Sequence, residues 1–210
     1  MKKCHASENQ TTGRVLLITR ATVLAVAFTV ALPQPAHADD VTPPPVPSNL
    51  QVPAGNKAFL DRHAMGTQDY ICLPSGPGFS WTFFGPQASL FNDDEEQVVT
   101  HYLSPNPDEG DTPRATWQHS RDTSTVWAAA IASSSYPAFV EPDAIPWLLL
   151  QVAGAQDGPT GGDKLSETTV IQRLNTSGGI TPSTGCTLST DVGKKALVPY
   201  TADYFFYKHR

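Results

Sequence analysis

Val198-Pro-Tyr-Thr-Ala-Asp-Tyr-Phe-Phe-Tyr207 reads with a period of two. Val198, Tyr200, Ala202, Tyr204 and Phe206 share one side, and Thr201, Asp203 and Phe205 share the other. That is a strand with one face on a core. Upstream, Thr168 to Asn175 is β-branched at Thr168, Thr169, Val170 and Ile171, which favours another strand. Ile145 to Val152 is a near-continuous apolar run of a length that suits a strand buried on both faces. Phe79 to Phe83 and Val98 to Leu103 alternate as well. Glycine and proline clusters separate these runs, at 74–78, 85–86, 104–107, 154–162 and 177–179. Many short strands with such breakers predict an all-β fold, an antiparallel sandwich or flattened barrel. Ser124 to Ser133 is the one helical candidate, although Val126-Ala128-Ala130 alternates as a strand would. Ser104 to Arg114 reads as a surface insertion.

The N-terminus carries Lys2, Lys3, Arg14 and Arg20, then an uncharged apolar run from Ala21 to Leu32, then Ala36-His37-Ala38. This is the order of a secretion signal, residues 1–38. The run of 12 residues is short of the roughly 20 that cross a bilayer. The expectation is an exported protein, periplasmic or extracellular, with no membrane span after cleavage. A Pro-rich leader (39–55) contains Pro43, Pro44, Pro45, Pro47 and Pro53, and is expected on the surface or disordered. A single β domain follows over 56–210. Without its first 38 residues the chain has 10 Lys and Arg against 19 Asp and Glu, a net charge of −9. That field repels nucleic acid, which is discounted as a partner.

Two cysteines remain, Cys72 and Cys186. In an oxidising compartment an even pair reads as a bridge. Two buried thiols, or half of a metal site, are the alternatives.

Chemistry is sparse. GxSxG, HExxH and P-loop patterns are absent, and His63, His101, His119 and His209 have no metal-ligand spacing, so neither a metal nor a cofactor is expected. Gly76-Pro-Gly78 is a lone GxG, with no helix to hold a pyrophosphate. Asp93-Asp94-Glu95-Glu96 lacks the glycine and alternation of a calcium loop and reads as a solvated turn. Trp81 and Trp147 sit in apolar strands and read as core. Trp117 has polar neighbours and is a candidate stacking platform.

Candidate ligand-binding residues are His101, Trp117, Asp122, Arg173 and Asp203. The first three lie close in sequence and offer a flat apolar face, an acceptor and a group that titrates near neutrality. The plainer reading makes His101 and Trp117 a cross-strand pair, with Asp122 capping a turn before Ser124. Arg173, flanked by Ile171 and Asn175, is expected to be buried and paired with Asp203 or Asp122. The function expected is an exported, non-enzymatic binding or surface module for carbohydrate or cell-envelope material. Two alternatives stand beside it. One is an extracytoplasmic hydrolase or lyase with Asp122 and Asp203 as acid and base, helped by His101. The other is a structural envelope or coat protein.

A further set of residues spans the domain: Gly66-Thr-Gln68-Asp-Tyr70-Ile-Cys72, His101-Tyr102 leading to Trp117, Ile145-Pro-Trp147-Leu-Leu-Leu150, Ile171-Gln-Arg173-Leu-Asn175-Thr-Ser-Gly178-Gly179, Cys186, and Val198 to Tyr207. This order resembles the DUF3455 family, secreted bacterial and fungal proteins of unknown function. The resemblance runs from about Asn56 to Tyr207 and implies export and a Cys72–Cys186 bridge. It assigns no catalytic residue. The chain departs from the family pattern at Leu103-Ser104-Pro105, where Gly-Pro is usual, and in a longer stretch between Tyr102 and Trp117.

Overall fold

The computed structural model describes residues 41–210. The expected secretion signal lies outside the described residues. Eight strands follow one another around the structure: β1 (Asn56–Ser75), β2 (Gly78–Phe91), β3 (Gln97–Asn106), β4 (Thr112–His119), β5 (Thr125–Ser134), β6 (Trp147–Gln156), β7 (Val170–Gly178) and β8 (Lys195–His209). Each is antiparallel to the next, and β8 returns to β1, with Tyr200 opposite Gly66 and Phe206 opposite Leu60. Of the two architectures the alternation allows, the chain forms the closed barrel, in which every strand pairs with a neighbour on both sides over at least part of its length. The Ser124–Ser133 run is strand β5, not helix. Val126 and Ala128 face the core cluster, as their alternation requires.

Inside the barrel, Tyr200, Ala202, Tyr204 and Phe206 pack with Leu90, Trp117, Leu150 and Ile171. Small residues on β1, β2 and β8 make room for these rings. A Cβ on Gly66 would come within 2.6 Å of the Ala88 Cβ. Small residues facing large ones fill the narrow interior of an eight-stranded barrel. The opposite face of β1 to β4 carries His63, Thr67, Ser89, Thr100 and Gln118 together with Met65 and Tyr102, so this wall is mixed outside and apolar inside. Among the described residues no helix is long and apolar enough to cross a membrane.

One end of the barrel is plugged. Leu165, in the β6–β7 connection, is fully buried in the interior cluster. Asp122 holds it there from the β4–β5 turn: its carboxylate accepts from Ser124 N and Oγ and from Lys164 N, and Ser124 Oγ accepts from Leu165 N. Gly158 and Gly162 follow from this contact, since a Cβ on Gly158 would meet the Asp122 carbonyl oxygen at 1.8 Å and one on Gly162 would meet it at 2.3 Å.

The leader differs from expectation. It stays out of the sheet, as its prolines require, but it is an ordered cover. Leu50 is fully buried, and Val41, Val46 and Val52 pack with it against Trp147, Leu149, Leu174, Phe205 and Tyr207 on the outer face of β6 to β8. Gln172 donates to the Leu50 carbonyl at 2.7 Å and accepts from the Tyr207 hydroxyl; Asn49 donates to the Ser133 carbonyl. That outer face is too apolar to meet water, and the leader is the segment that covers it.

Ser104–Arg114 continues the sheet instead of looping away from it. It is the end of the β3–β4 hairpin, with Pro105 opposite Pro113. Asn106 is fully buried there, capping Asp108 N and donating to Glu109 and to the Ala153 carbonyl. At the same end, the Cys72–Cys186 disulfide joins β1 to the long β7–β8 connection. Asp191 orders that loop by accepting from Thr187 N, Leu188 N and Lys194 Nζ.

Candidate functional site at the barrel mouth

The end opposite Leu165 is open. A chamber of about 330 Å³ enters the barrel there, and every strand contributes to its wall. Gln68 comes from β1, Phe83 from β2, His101 from β3, Trp117 from β4, Ala128 from β5, Leu148 from β6, Arg173 from β7 and Tyr204 from β8. These residues face inward because their register partners do: His101 stands opposite both Ala88 and Trp117, and Arg173 opposite both Leu148 and Tyr204.

The wall of the barrel opens beside this chamber. The β2–β3 ladder runs only from Phe91 and Gln97 to Ala88 and His101. Pro86 has no N–H to continue it. A surface groove of about 580 Å³, lined by Met65, Phe84, Thr100 and Tyr102, lies along this seam and shares Pro86, His101 and Leu103 with the chamber. Leu103 stands in the seam against Gly85 and is 43% exposed.

His101 stacks on Trp117 with ring centroids 4.2 Å apart and planes 11° from parallel; Tyr204 closes edge-on against both. His101 Nδ1–H donates to the Thr116 carbonyl at 2.8 Å, which leaves the lone pair on Nε2. Burial pushes the imidazole pKa down to about 3, opposed by the Thr116 hydrogen bond and aided by the charge of Arg173. The ring is neutral at physiological pH. Burial also raises the Tyr200 and Tyr204 phenols, whose hydroxyls lie 3.3 Å apart, so both stay protonated.

The depressed His101 pKa has a measurable sign. It lies below the unfolded value of 6.5, so the neutral ring stabilises the fold fully above that pH. This contribution is lost as the pH falls from 6.5 towards 3, at up to about 1.4 kcal/mol per pH unit. Urea unfolding across that window should show a steeper loss for the wild type than for His101→Gln. Parallel curves would mean that the histidine is solvated.

Three side chains on the chamber wall hold a buried donor without a well-formed hydrogen bond: Gln68 Nε2, which lies beside the Tyr200 hydroxyl, Trp117 Nε1 and Arg173 Nε. Gln68 is 3% exposed, Trp117 0% and Arg173 9%. Buried donors are nearly always paired, and leaving one unpaired costs about 1–3 kcal/mol. Three of the six such atoms among the described residues gather around this one chamber; the others, Arg62 Nε, Trp147 Nε1 and Thr168 Oγ1, lie apart from it.

Of the residues singled out from sequence, His101, Trp117 and Arg173 meet here. Asp122 lies at the plugged end, where it caps the turn before Ser124. Burial alone would raise its pKa, but hydrogen bonds from Lys164 and Ser124 hold it below the usual range. Asp203 faces outward on β8, accepting from His63 Nδ1 at 2.7 Å and from Asn175. That contact raises the His63 pKa despite partial desolvation, with Asp93 adding to it. The expected pairing of Arg173 with Asp203 or Asp122 is therefore not formed. Arg173 and Asp203 sit on opposite faces of adjacent strands, and Arg173 donates from Nη2 to the Pro146 carbonyl instead. Asp122 and Asp203 belong to separate networks and do not flank a common cleft. Trp117, the candidate platform, is fully buried with His101 over one face. Trp147 is core, as expected, whereas Trp81 is half-buried on the β1–β2 hairpin and donates to the Thr184 carbonyl. Gln68, Tyr200 and Tyr204 were not singled out as site residues. Carrying the alternation of Ala64 and Gly66 one step further places Gln68 inside.

No curated protein and no solved structure matches the chain. A family model described as a protein of unknown function, DUF3455, matches residues 53–208. That match extends from the end of the leader to the last turn of β8, through every strand that builds the mouth, and the chain belongs to the DUF3455 family.

Proposed function

We propose that this protein is an exported binding module that holds a small amphiphilic molecule in the mouth of its barrel. The observation that carries the reading is the set of three buried donors without a well-formed hydrogen bond on the wall of one open chamber. Eight-stranded barrels have an interior just large enough for side chains or one small ligand. Here it is filled to the level of Trp117 and open above. An apolar lining with a few placed polar groups is the usual make-up of a small-molecule site. A glycan chain fits less well, because the His101 ring already covers one face of Trp117. The Cys72–Cys186 bridge suits an exported setting. Asp122 and Asp203, the acid–base pair of the alternative hydrolase, each serve a structural contact, and this favours binding over hydrolysis.

Thermal denaturation of the mature domain against a panel of small amphiphiles tests the proposal. A ligand at a hundred times its Kd stabilises by about 2.7 kcal/mol, which raises the melting temperature by several degrees. Ala130→Trp, an exposed position on the mouth wall, should leave the fold intact and abolish the effect. Compounds that stabilise both proteins equally, or a panel without any hit, would contradict the proposal.

A further inference from the structure

Charge does not balance in the chamber. Arg173 is nine-tenths buried, and no carboxylate forms an ion pair with it among the described residues. Its hydrogen-bonding neighbours are neutral: Nη2 donates to the Pro146 carbonyl, and the guanidinium also bonds the Tyr204 hydroxyl. The other titratable groups facing inward are His101, Tyr200 and Tyr204, all neutral at physiological pH. At the rim, Arg114 is already matched by Glu109 through two bonds of 2.7 Å. Asp69, the neighbour of Gln68, points to the other side of β1 and accepts from Thr67. The chamber thus carries one uncompensated positive charge in an overall acidic protein. A guanidinium does not escape burial by losing its proton, as a lysine can. A buried charge left unpaired is strongly destabilising unless something supplies the counter-charge.

We infer that the ligand is an organic carboxylate with an apolar body, whose charged head pairs with Arg173 and takes hydrogen bonds from Gln68 and Trp117. This rests on the mouth-binding reading above. The donor set suits the head group: a guanidinium, an amide and an indole N–H together satisfy the lone pairs of a carboxylate. The lining suits the body. Leu148, Leu150, Ala128, Phe83 and Leu103 supply apolar surface around the donors. A phosphate monoester would bring a second charge to a site that has one cation.

Matched probes test this without knowledge of the natural ligand: hexanoate, decanoate and phenylacetate against hexanol, decanol and phenylethanol, titrated calorimetrically into the mature domain. At least one carboxylate should bind about tenfold or more tighter than its alcohol, as expected for a charge-assisted hydrogen bond. Arg173→Met should erase that preference. It should also leave the melting temperature of the free domain at or above the wild-type value, because it removes an uncompensated charge. Equal binding of alcohol and acid would overturn the carboxylate inference and leave the mouth-binding reading standing. So would a carboxylate preference that persists in Arg173→Met. Failure of all six probes would overturn the inference as well, whereas the mouth-binding reading falls only if the broader panel also fails. A marked fall in the melting temperature of free Arg173→Met would make the arginine a structural element and overturn the inference.

Discussion

Phe206→Ala should unfold the domain or leave it barely stable. Phe206 is fully buried, stands opposite Leu60 and Ile171 where β8 closes the barrel, and meets Trp117 edge-on at 6.4 Å between centroids. Removing a buried phenyl ring costs roughly 3–5 kcal/mol, from transfer of the ring and from the cavity left behind. A domain of this size has about 5–15 kcal/mol in total. The effect should be large because the ring lies in the interior cluster, among neighbours that are themselves buried. Urea denaturation measures it as a fall in the midpoint. Ile131→Ala serves as the control: Ile131 is 56% exposed, and its loss should change stability by less than about 0.5 kcal/mol. A midpoint for Phe206→Ala near that of the control would show that the ring is not in the core.

Deleting residues 41–52 should lower the melting temperature on the order of 10 °C. Leu50 alone contributes about 1.5–3 kcal/mol by burial, and Val46 and Val52 add a part of that each. The deletion would also strip the Gln172 side chain of its bond to the Leu50 carbonyl and expose Trp147, Leu149 and Phe205 on the outer wall. For a domain of this length each kcal/mol is about 2–4 °C. The truncated protein should further bind hydrophobic dyes, because the uncovered face is a continuous apolar patch. An unchanged melting temperature would mean that the leader only drapes over a stable barrel.

The leader shows where the sequence was and was not legible. Its prolines correctly keep it out of the hydrogen-bonded sheet. Its packing was signalled by other residues. Ile145 to Val152 is apolar on both faces, and Phe205 and Tyr207 are large apolar residues on the side of β8 opposite the core face. A barrel strand with two apolar faces needs a second layer, and the leader was the free segment able to supply it. Period-two alternation found the strands but not the closure, because sandwich and barrel strands alternate alike. What distinguishes them is the pairing of β1 with β8 across most of the chain. The site was half legible for a similar reason. His101, Trp117 and Arg173 have inward parity in their strands and converge. Asp122 and Asp203 were grouped with them by proximity in sequence and by charge complementarity, which do not report on parity. Asp203 has the parity of Phe205, so it faces out. Ligand binding at a mouth built from eight strands leaves no local motif, since each strand contributes only one or a few side chains.

The indole N–H resonance of Trp117 in a proton–nitrogen correlation spectrum tests the central claim most directly. Trp117 Nε1 is buried and without a partner in the free protein. A ligand seated in the mouth should shift this resonance downfield as the donor gains an acceptor, in a titration that saturates with the calorimetric affinity. Trp147 belongs to the outer layer under the leader, and its resonance should not move. A saturating ligand that leaves Trp117 in place while shifting only surface amides, or that moves Trp147 instead, would contradict binding in the barrel mouth.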